Sequence, residues 1–461
     1  MSGSSGLPAP VAIPPAVYFD APVTTAVEAP RELGFWSALA LVMGSMVGSG
    51  VFLLPASLAA YGGLSLAGWL ISAVGSVALA LVFARLARHF PAHGGVYAYS
   101  RRGFGDTVGF LVAWGYWLSI VAALAALAVA GVGYLDPFVP ALTRTPAAAG
   151  LVAVAVIWAA VAINVAGVGL AGRVQIATTV LKLVPLAVVG IGGLAWFDGA
   201  AFALPDTTTV PAGTQIIAVV TLTLFAFQGM ECATIPAGRV ADPARTIPRA
   251  TVWGTIATAV VYIVCTVGVM SLVPRDALAT STAPFADGAR RMFGELGARI
   301  VALGAALSCL GALNGWVLAA GQLPVAVAAD GLVPARLGRL NRRGTPDAAL
   351  VVAGVLASAL VAMNYSRGLV GMYTAVVLLS TLTAVIAFVF CALAVWVTPG
   401  HPAPAGMAAV VSGVAFVYAL AAVAGAGAET VYAGFLMLLA GLPLFVWVRR
   451  TQVRLAPGAG S

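Results

Sequence analysis

The chain alternates long apolar stretches of about 20 residues with short groups of arginine, proline, glycine and acidic residues. At ~1.5 Å rise per residue, one such stretch crosses a ~30 Å hydrocarbon layer as a helix. Barrel-type segments of alternating polarity are absent, so the pattern predicts helices. The stretches fall at 35–61, 64–84, 108–135, 146–167, 175–197, 214–236, 251–273, 297–323, 348–364, 368–397, 407–425 and 430–448. The expected fold class is all-α and polytopic, with about 12 transmembrane helices and both termini on one side.

Two of these stretches are interrupted at their middles. The first reads GSMVGSGVFLLP, with Gly44, Gly48, Ser49 and Gly50 central and Pro55 beyond; the sixth reads LFAFQGMECATIP, with Gln228, Gly229 and Glu231 central and Pro236 beyond. Broken backbone exposes N–H and C=O groups at membrane depth, which is tolerable only where they line a cavity. The two stand five spans apart, as in a transporter plan of two inverted five-helix halves, each opening with a discontinuous helix. Glycines that merely allow close helix packing are the simpler alternative. The predicted organisation is a disordered tail over 1–33, a transport core over 34–397 with halves 35–197 and 214–397, two added spans over 398–448, and a tail over 449–461. Three longer connections, 93–106, 274–297 and 330–347, are candidates for gates or for interfacial helices, and 274–297 carries a helical period.

Charge supports this layout. Only 8% of the residues are charged, against the roughly 25% usual in soluble domains, so no soluble surface can be built. Sixteen arginines lie on the side of the termini and six on the other. The positive-inside rule then places both termini in the cytoplasm of a multi-pass cell-membrane protein. The net charge of +8 is accounted for by topology, without a nucleic-acid partner. The first 33 residues lack the basic start and apolar core of a secretory signal. Cys232, Cys265, Cys309 and Cys391 all fall inside spans and read as packing residues. With His89, His93 and His401 scattered in or beside loops, no metal or cofactor is expected.

Of the 15 carboxylates, Glu231 alone falls at membrane depth, and Lys182 is the only lysine in the chain, within the fifth span. An ionisable group at such depth costs at least ~2.5 kcal/mol on insertion scales and calls for a functional or pairing explanation. Lys182 lies about seven residues, or ~10 Å, inside its span, so it either reaches back to the headgroups or acts as a desolvated amine that exchanges a proton or stands in for a bound cation. Glu231 either accepts from N–H groups orphaned by the sixth break, pairs with a substrate amine, or carries a proton. Leu181 precedes the lone lysine, so the chain has no Gly-Lys-Ser/Thr phosphate loop. Transport would be driven by a gradient or by exchange, and a hydrolase would lack a histidine at depth.

The segments GSMVGSGVFLLPASLAAYGG, GGVYAYSRRGFG, FQGMECAT, DPARTIPRA, CLGALNGWVLAAGQ and AADGLVP resemble the amino acid–polyamine–organocation superfamily. Within it, the chain is similar to the basic amino acid and polyamine antiporters of the arginine–agmatine type, from about residue 33 to 450. The resemblance implies the inverted five-plus-five core with two extra helices, and a homodimer in many members. It implies that a substrate carboxylate meets Ser49 and Gly50, beside Ser45 and Gly48, while its amine lies near Phe225. Trp316 would cover the substrate side chain, Tyr116 would line the pocket, and Glu231 would take part in proton sensing. Ser45 and Phe225 replace the Asn and Trp of arginine-exchanging members, and Leu124 and Leu127 replace the Asn and Met that face a guanidinium. Lys182 is similar instead to proton-coupled members. The expected function is therefore alternating-access transport of neutral or hydrophobic amino acids with proton coupling. The alternatives are a cationic amino acid or polyamine antiporter and, from another class, a non-transporting amino acid sensor or a channel.

Overall fold

Runs of Ala, Leu, Val and Gly without interior charge leave a helix as the structure that satisfies every backbone group locally in lipid. The computed structural model describes residues 34–90, 94–142, 145–166, 185–234, 240–400 and 402–455. Its helices are α1 (Phe35–Met46), α2 (Ser49–Leu58), α3 (Leu64–His89), α4 (Val96–Gly133), α5 (Pro146–Ala166), α6 (Ala212–Phe227), α7 (Pro243–Leu272) and α8 (Arg275–Thr280). They continue as α9 (Pro284–Ala329), α10 (Ala335–Gly338), α11 (Asp347–Asn364), α12 (Gly368–Val397), α13 (Met407–Ala424), α14 (Ala428–Leu439) and α15 (Gly441–Leu455). Among the described residues there is no β-strand, and ten segments are long and apolar enough to cross a membrane. One of the ten, Asp347–Val397, contains both α11 and α12, joined by a 3-10 turn at Tyr365–Arg367. Lys182, Pro236, His93, His401, the 1–33 tail and the first ten residues of the fifth predicted span (175–184) lie outside the described residues.

Hydropathy misplaces two helix starts. The third span was expected from 108, yet α4 begins at Val96 and kinks at Gly105; the eighth was expected from 297, yet α9 begins at Pro284 and kinks at Gly294. In both cases the extra turns carry polar and glycine residues that read as connection. They nonetheless bury one face, with Val96, Tyr97 and Tyr99 in α4 and Phe285, Ala286 and Ala289 in α9. The helical period expected over 274–297 is present as α8 and the first turns of α9. The last span divides at Ala440, and its second part continues past 448 to Leu455.

The core centres on α4, which is buried along almost all of Val112–Gly133 and packs extensively on α12 and α9. Helix α3 packs on α7, α6 and α13. Without a solvent-driven hydrophobic force between helices in lipid, such contacts rely on close approach of small side chains, and these helices are rich in Ala and Gly. Val417, Tyr432 and Phe435 on α13 and α14 point outward and are exposed, as lipid-facing side chains are.

Candidate functional site

Both interruptions read from the sequence are real breaks. Helix α1 stops at Met46, Val47 is extended (ψ 91°), and α2 restarts at Ser49 after Gly48 (φ −137°, ψ −140°). Helix α6 stops at Phe227; Gln228 is extended (ψ 135°) and Gly229 takes φ 106°. The two breaks pack into each other. A Cβ on Gly50 would lie 2.8 Å from Ala226 Cβ, and one on Gly229 would lie 2.9 Å from Ser45 Cβ and 3.1 Å from the Met46 nitrogen. At Gly229 both the left-handed backbone and the lack of space require glycine.

The breaks leave helix ends inside the protein. The first turn of α2 has N–H groups with no intrahelical partner, and Gly48 supplies no side-chain cap, so this end favours an anion. On the carbonyl side, Tyr262 of α7 reaches both breaks. Its hydroxyl oxygen lies 2.6 Å from Met46 O and 2.8 Å from Ala226 O, and its single proton serves whichever carbonyl it faces. The ring is fixed between Trp69 and Phe227, with centroids 5.2 and 5.5 Å away.

Where the breaks meet lies a cavity of about 20 Å³. Ser45, Gly48, Ser49, Gly50, Phe225 and Trp316, all expected at the site, line it together with Met46, Ala123, Leu127, Ala226 and Gln228. Its volume suits about one water. Several polar groups here are poised but unpaired. Ser49 Oγ and Tyr373 OH approach one another without completing a hydrogen bond, and Gln228 Nε2 has no partner. Ser380 Oγ faces two acceptors, Ser119 O at 2.8 Å and Gln228 Oε1 at 3.1 Å.

A second cavity, of about 220 Å³, lies on the side where α4 begins. Glu231, Tyr116, Ile120, Gly94, Val96 and Gln322 are among its lining residues. Tyr116 donates a short hydrogen bond to the Glu231 carboxylate, and the Gly229 N–H lies 3.2 Å from each carboxylate oxygen. Glu231 is fully buried, and among the described residues no arginine forms an ion pair with it. The structure therefore places Tyr116 beside Glu231 rather than on the smaller cavity. Leu124 lines neither. Tyr116, Ile120, Ala123 and Leu127 recur at steps of four and three residues and form one stripe of α4, from which Leu124 is rotated away. Lys182, the other expected ionisable group, lies outside the described residues.

Contacts close the bundle on either side of these cavities. Within α2, Phe52 packs edge-on against Tyr134 and Phe285; Tyr134 donates to Phe52 O at 2.7 Å and accepts from the Phe285 N–H at 3.3 Å. At the end where α4 begins, Arg101 pairs with Asp106 and Asp330, each at 2.7 Å. Tyr97 donates to Asp330 at 2.7 Å, and Arg449 of α15 reaches Asp106. Sequence reading does not single out Tyr262, Tyr373 or Tyr134, because a tyrosine in an apolar span reads as packing and nothing local places span seven against the first break. Gln228 was visible as a polar residue at the sixth break.

Comparison with known proteins agrees with this architecture. The family model described as "Amino acid permease" matches residues 33–448. The chain is 36% identical to the cadaverine/lysine antiporter of Escherichia coli (strain K12) over 334 residues, 72% of this chain and 74% of that protein. It is 30% identical to the putrescine transporter PotE of Haemophilus influenzae over 424 residues, 91% of this chain and 97% of the relative. Identity to PotE of Escherichia coli (strain K12) is also 30%, over 90% of this chain and 95% of the relative. With two broken helices enclosing a polar cavity and a family match across nearly its whole length, the chain belongs to the amino acid permease family of the amino acid–polyamine–organocation superfamily, as a membrane transporter of the basic amino acid and polyamine antiporter type.

Proposed function

We propose that this protein exchanges a cationic amino acid for a polyamine or diamine by alternating access. The observation that carries this reading is Glu231. It is buried, faces a cavity, and is held by neutral donors from Tyr116 and Gly229 without a cationic partner among the described residues. A carboxylate at such depth costs several kcal/mol unless compensated, and a substrate ammonium compensates it. The uncapped start of α2 at Ser49 and Gly50 suits an α-carboxylate, while the face of Trp316 suits a cationic head for ~0.5–2 kcal/mol. A decarboxylated amine lacks the first contact and keeps the second, so both exchange partners share one loading site. The substrates for which the relatives are named, cadaverine, lysine and putrescine, favour this reading over the neutral one.

Paired features support an inverted five-plus-five core: the breaks at Gly48 and Gly229, and the kinks at Gly105 and Gly294 in the third and eighth spans. Counting α11 and α12 separately, and taking the π-helical turn Leu186–Ile191 as the end of the fifth span, brings the total to twelve. The arginine asymmetry supports cytoplasmic termini. Glu231 and Lys182 are the groups through which a proton would be coupled.

A neutral amino acid is favoured by one feature, the apolar wall of Ala123 and Leu127. Counterflow in proteoliposomes separates the two readings. Vesicles preloaded with lysine should drive uptake of labelled cadaverine, putrescine or agmatine and leave leucine and alanine outside; leucine counterflow without amine exchange would overturn the proposal. Repeating the uptake with and without a pH gradient tests the proton.

A further inference from the structure

A third cavity, of about 560 Å³, lies away from the transport path, between the end of α3, the start of α7 and the start of α13. Arg85, Arg88 and Arg249 line it, and no carboxylate does. None of the three takes part in an ion pair among the described residues. Arg85 spends one N–H on Pro402 O, at 3.0 Å, while its buried Nε has no hydrogen-bond partner. Apart from His89 and Ser412 the remaining wall is apolar, and part of it faces outward: Leu81 is 39% exposed, Trp253 58% and Met407 75%.

We infer that this groove is a binding site for an anionic phospholipid. The guanidinium groups would take the phosphate, for which their planar forked donors are well matched. The acyl chains would lie along Leu81, Val252 and Trp253. Three observations commit the site to a lipid rather than a soluble anion. Beyond the arginines, His89 and Ser412 the walls are apolar, and Leu81, Trp253 and Met407 among them are turned outward. The basic rim sits at the end of α3 and the start of α7, where two segments long and apolar enough to cross a membrane terminate. Trp253 is placed as indoles are at a membrane interface. Basic pockets between transmembrane helices with this character hold charged lipid headgroups. The inference rests on the membrane architecture alone and not on the substrate proposed above.

The test is native mass spectrometry of the purified full chain, delipidated and then offered equal amounts of a phosphatidylglycerol and a phosphatidylcholine of the same chain length. The expected result is selective retention of phosphatidylglycerol. Because each arginine near the surface contributes about a fivefold preference, R88Q/R249Q should reduce the selectivity roughly ten- to thirtyfold, and R88K/R249K should recover part of it. The variant R336Q/R339Q, with the same charge change elsewhere at this end, should keep the wild-type selectivity. Equal retention in R88Q/R249Q would overturn the site. So would an equal loss in R336Q/R339Q, which would mean diffuse attraction, or displacement of the lipid by glycerol phosphate at similar concentration, which would mean a soluble-anion site. Counterflow by the same variants is a separate readout, so failure of the lipid site and failure of the substrate reading remain distinguishable.

Discussion

Removing a single oxygen from Tyr262 isolates the contact that joins the two helix breaks. Tyr262→Phe keeps the ring between Trp69 and Phe227 and deletes only the hydroxyl that lies 2.6 Å from Met46 O and 2.8 Å from Ala226 O. One proton makes one hydrogen bond at a time, so the loss is that of one buried bond and its stranded acceptor, about 1–3 kcal/mol, rather than twice that. Both carbonyls belong to the lips of the cavity, and the arrangement in which the lips meet is the one the hydroxyl holds. A penalty of this size shifts the balance between met and parted lips by roughly 5- to 150-fold. The assay is lysine-driven counterflow in proteoliposomes, with KM and maximal rate read separately, beside a thermal melt. The expected outcome is at least a fivefold change in KM or rate together with a modest drop in melting temperature. Trp69→Phe disturbs the same aromatic cluster without touching the hydroxyl and serves as the packing control. If Tyr262→Phe melts lower but exchanges with wild-type constants, or if Trp69→Phe reproduces its kinetics, the hydroxyl is structural and the reasoning is wrong.

Glu231→Gln retains an acceptor for Tyr116 and removes the charge, so exchange of lysine and putrescine should fall at least tenfold while the melting temperature stays within a few degrees; unchanged counterflow would show that the charge does not meet the cation. Gly229→Ala must adopt φ 106° and place a Cβ against Ser45 and Met46, a strain of order 1–3 kcal/mol before the clash is counted. It should melt lower and exchange poorly, whereas Gly213→Ala, with nothing within 4 Å of the added carbon, should match the wild type in both measurements. Arg101→Gln removes the pairs to Asp106 and Asp330; since these side chains are about one-third exposed, each pair is worth about 1 kcal/mol or less. The resulting loss of melting temperature should shrink as salt is raised, and a loss indifferent to salt would point to packing instead.

The sequence showed the most where one physical requirement acts along a continuous segment. Spans are legible because twenty apolar residues in a row have few other uses, and the breaks are legible because glycine and glutamine at membrane depth contradict a plain helix. Ser49, Gly50, Phe225 and Trp316, grouped by family likeness, line one cavity. What escaped depends on rotation and on distant partners. Leu124 and Leu127 are equivalent by composition, but the turn of α4 directs only Leu127 to the cavity. Tyr116 joins Glu231, 115 residues away, and Tyr262 joins Met46, 216 residues away, and no local pattern encodes either meeting. The early starts of α4 and α9 escaped because amphipathic turns lying against the bundle have the average polarity of a connection.

The size of the space between the breaks has a kinetic meaning. Pockets for small molecules run to ~300–1,000 Å³, and this one offers about 20 Å³. A ligand with about ten non-hydrogen atoms cannot collide its way into that volume, so the lips must part first and the receptive shape is a fraction of the population. The apparent dissociation constant is then the intrinsic one divided by that fraction. Rapid-mixing binding should show an observed rate that levels off as ligand concentration rises, at the frequency with which the walls open.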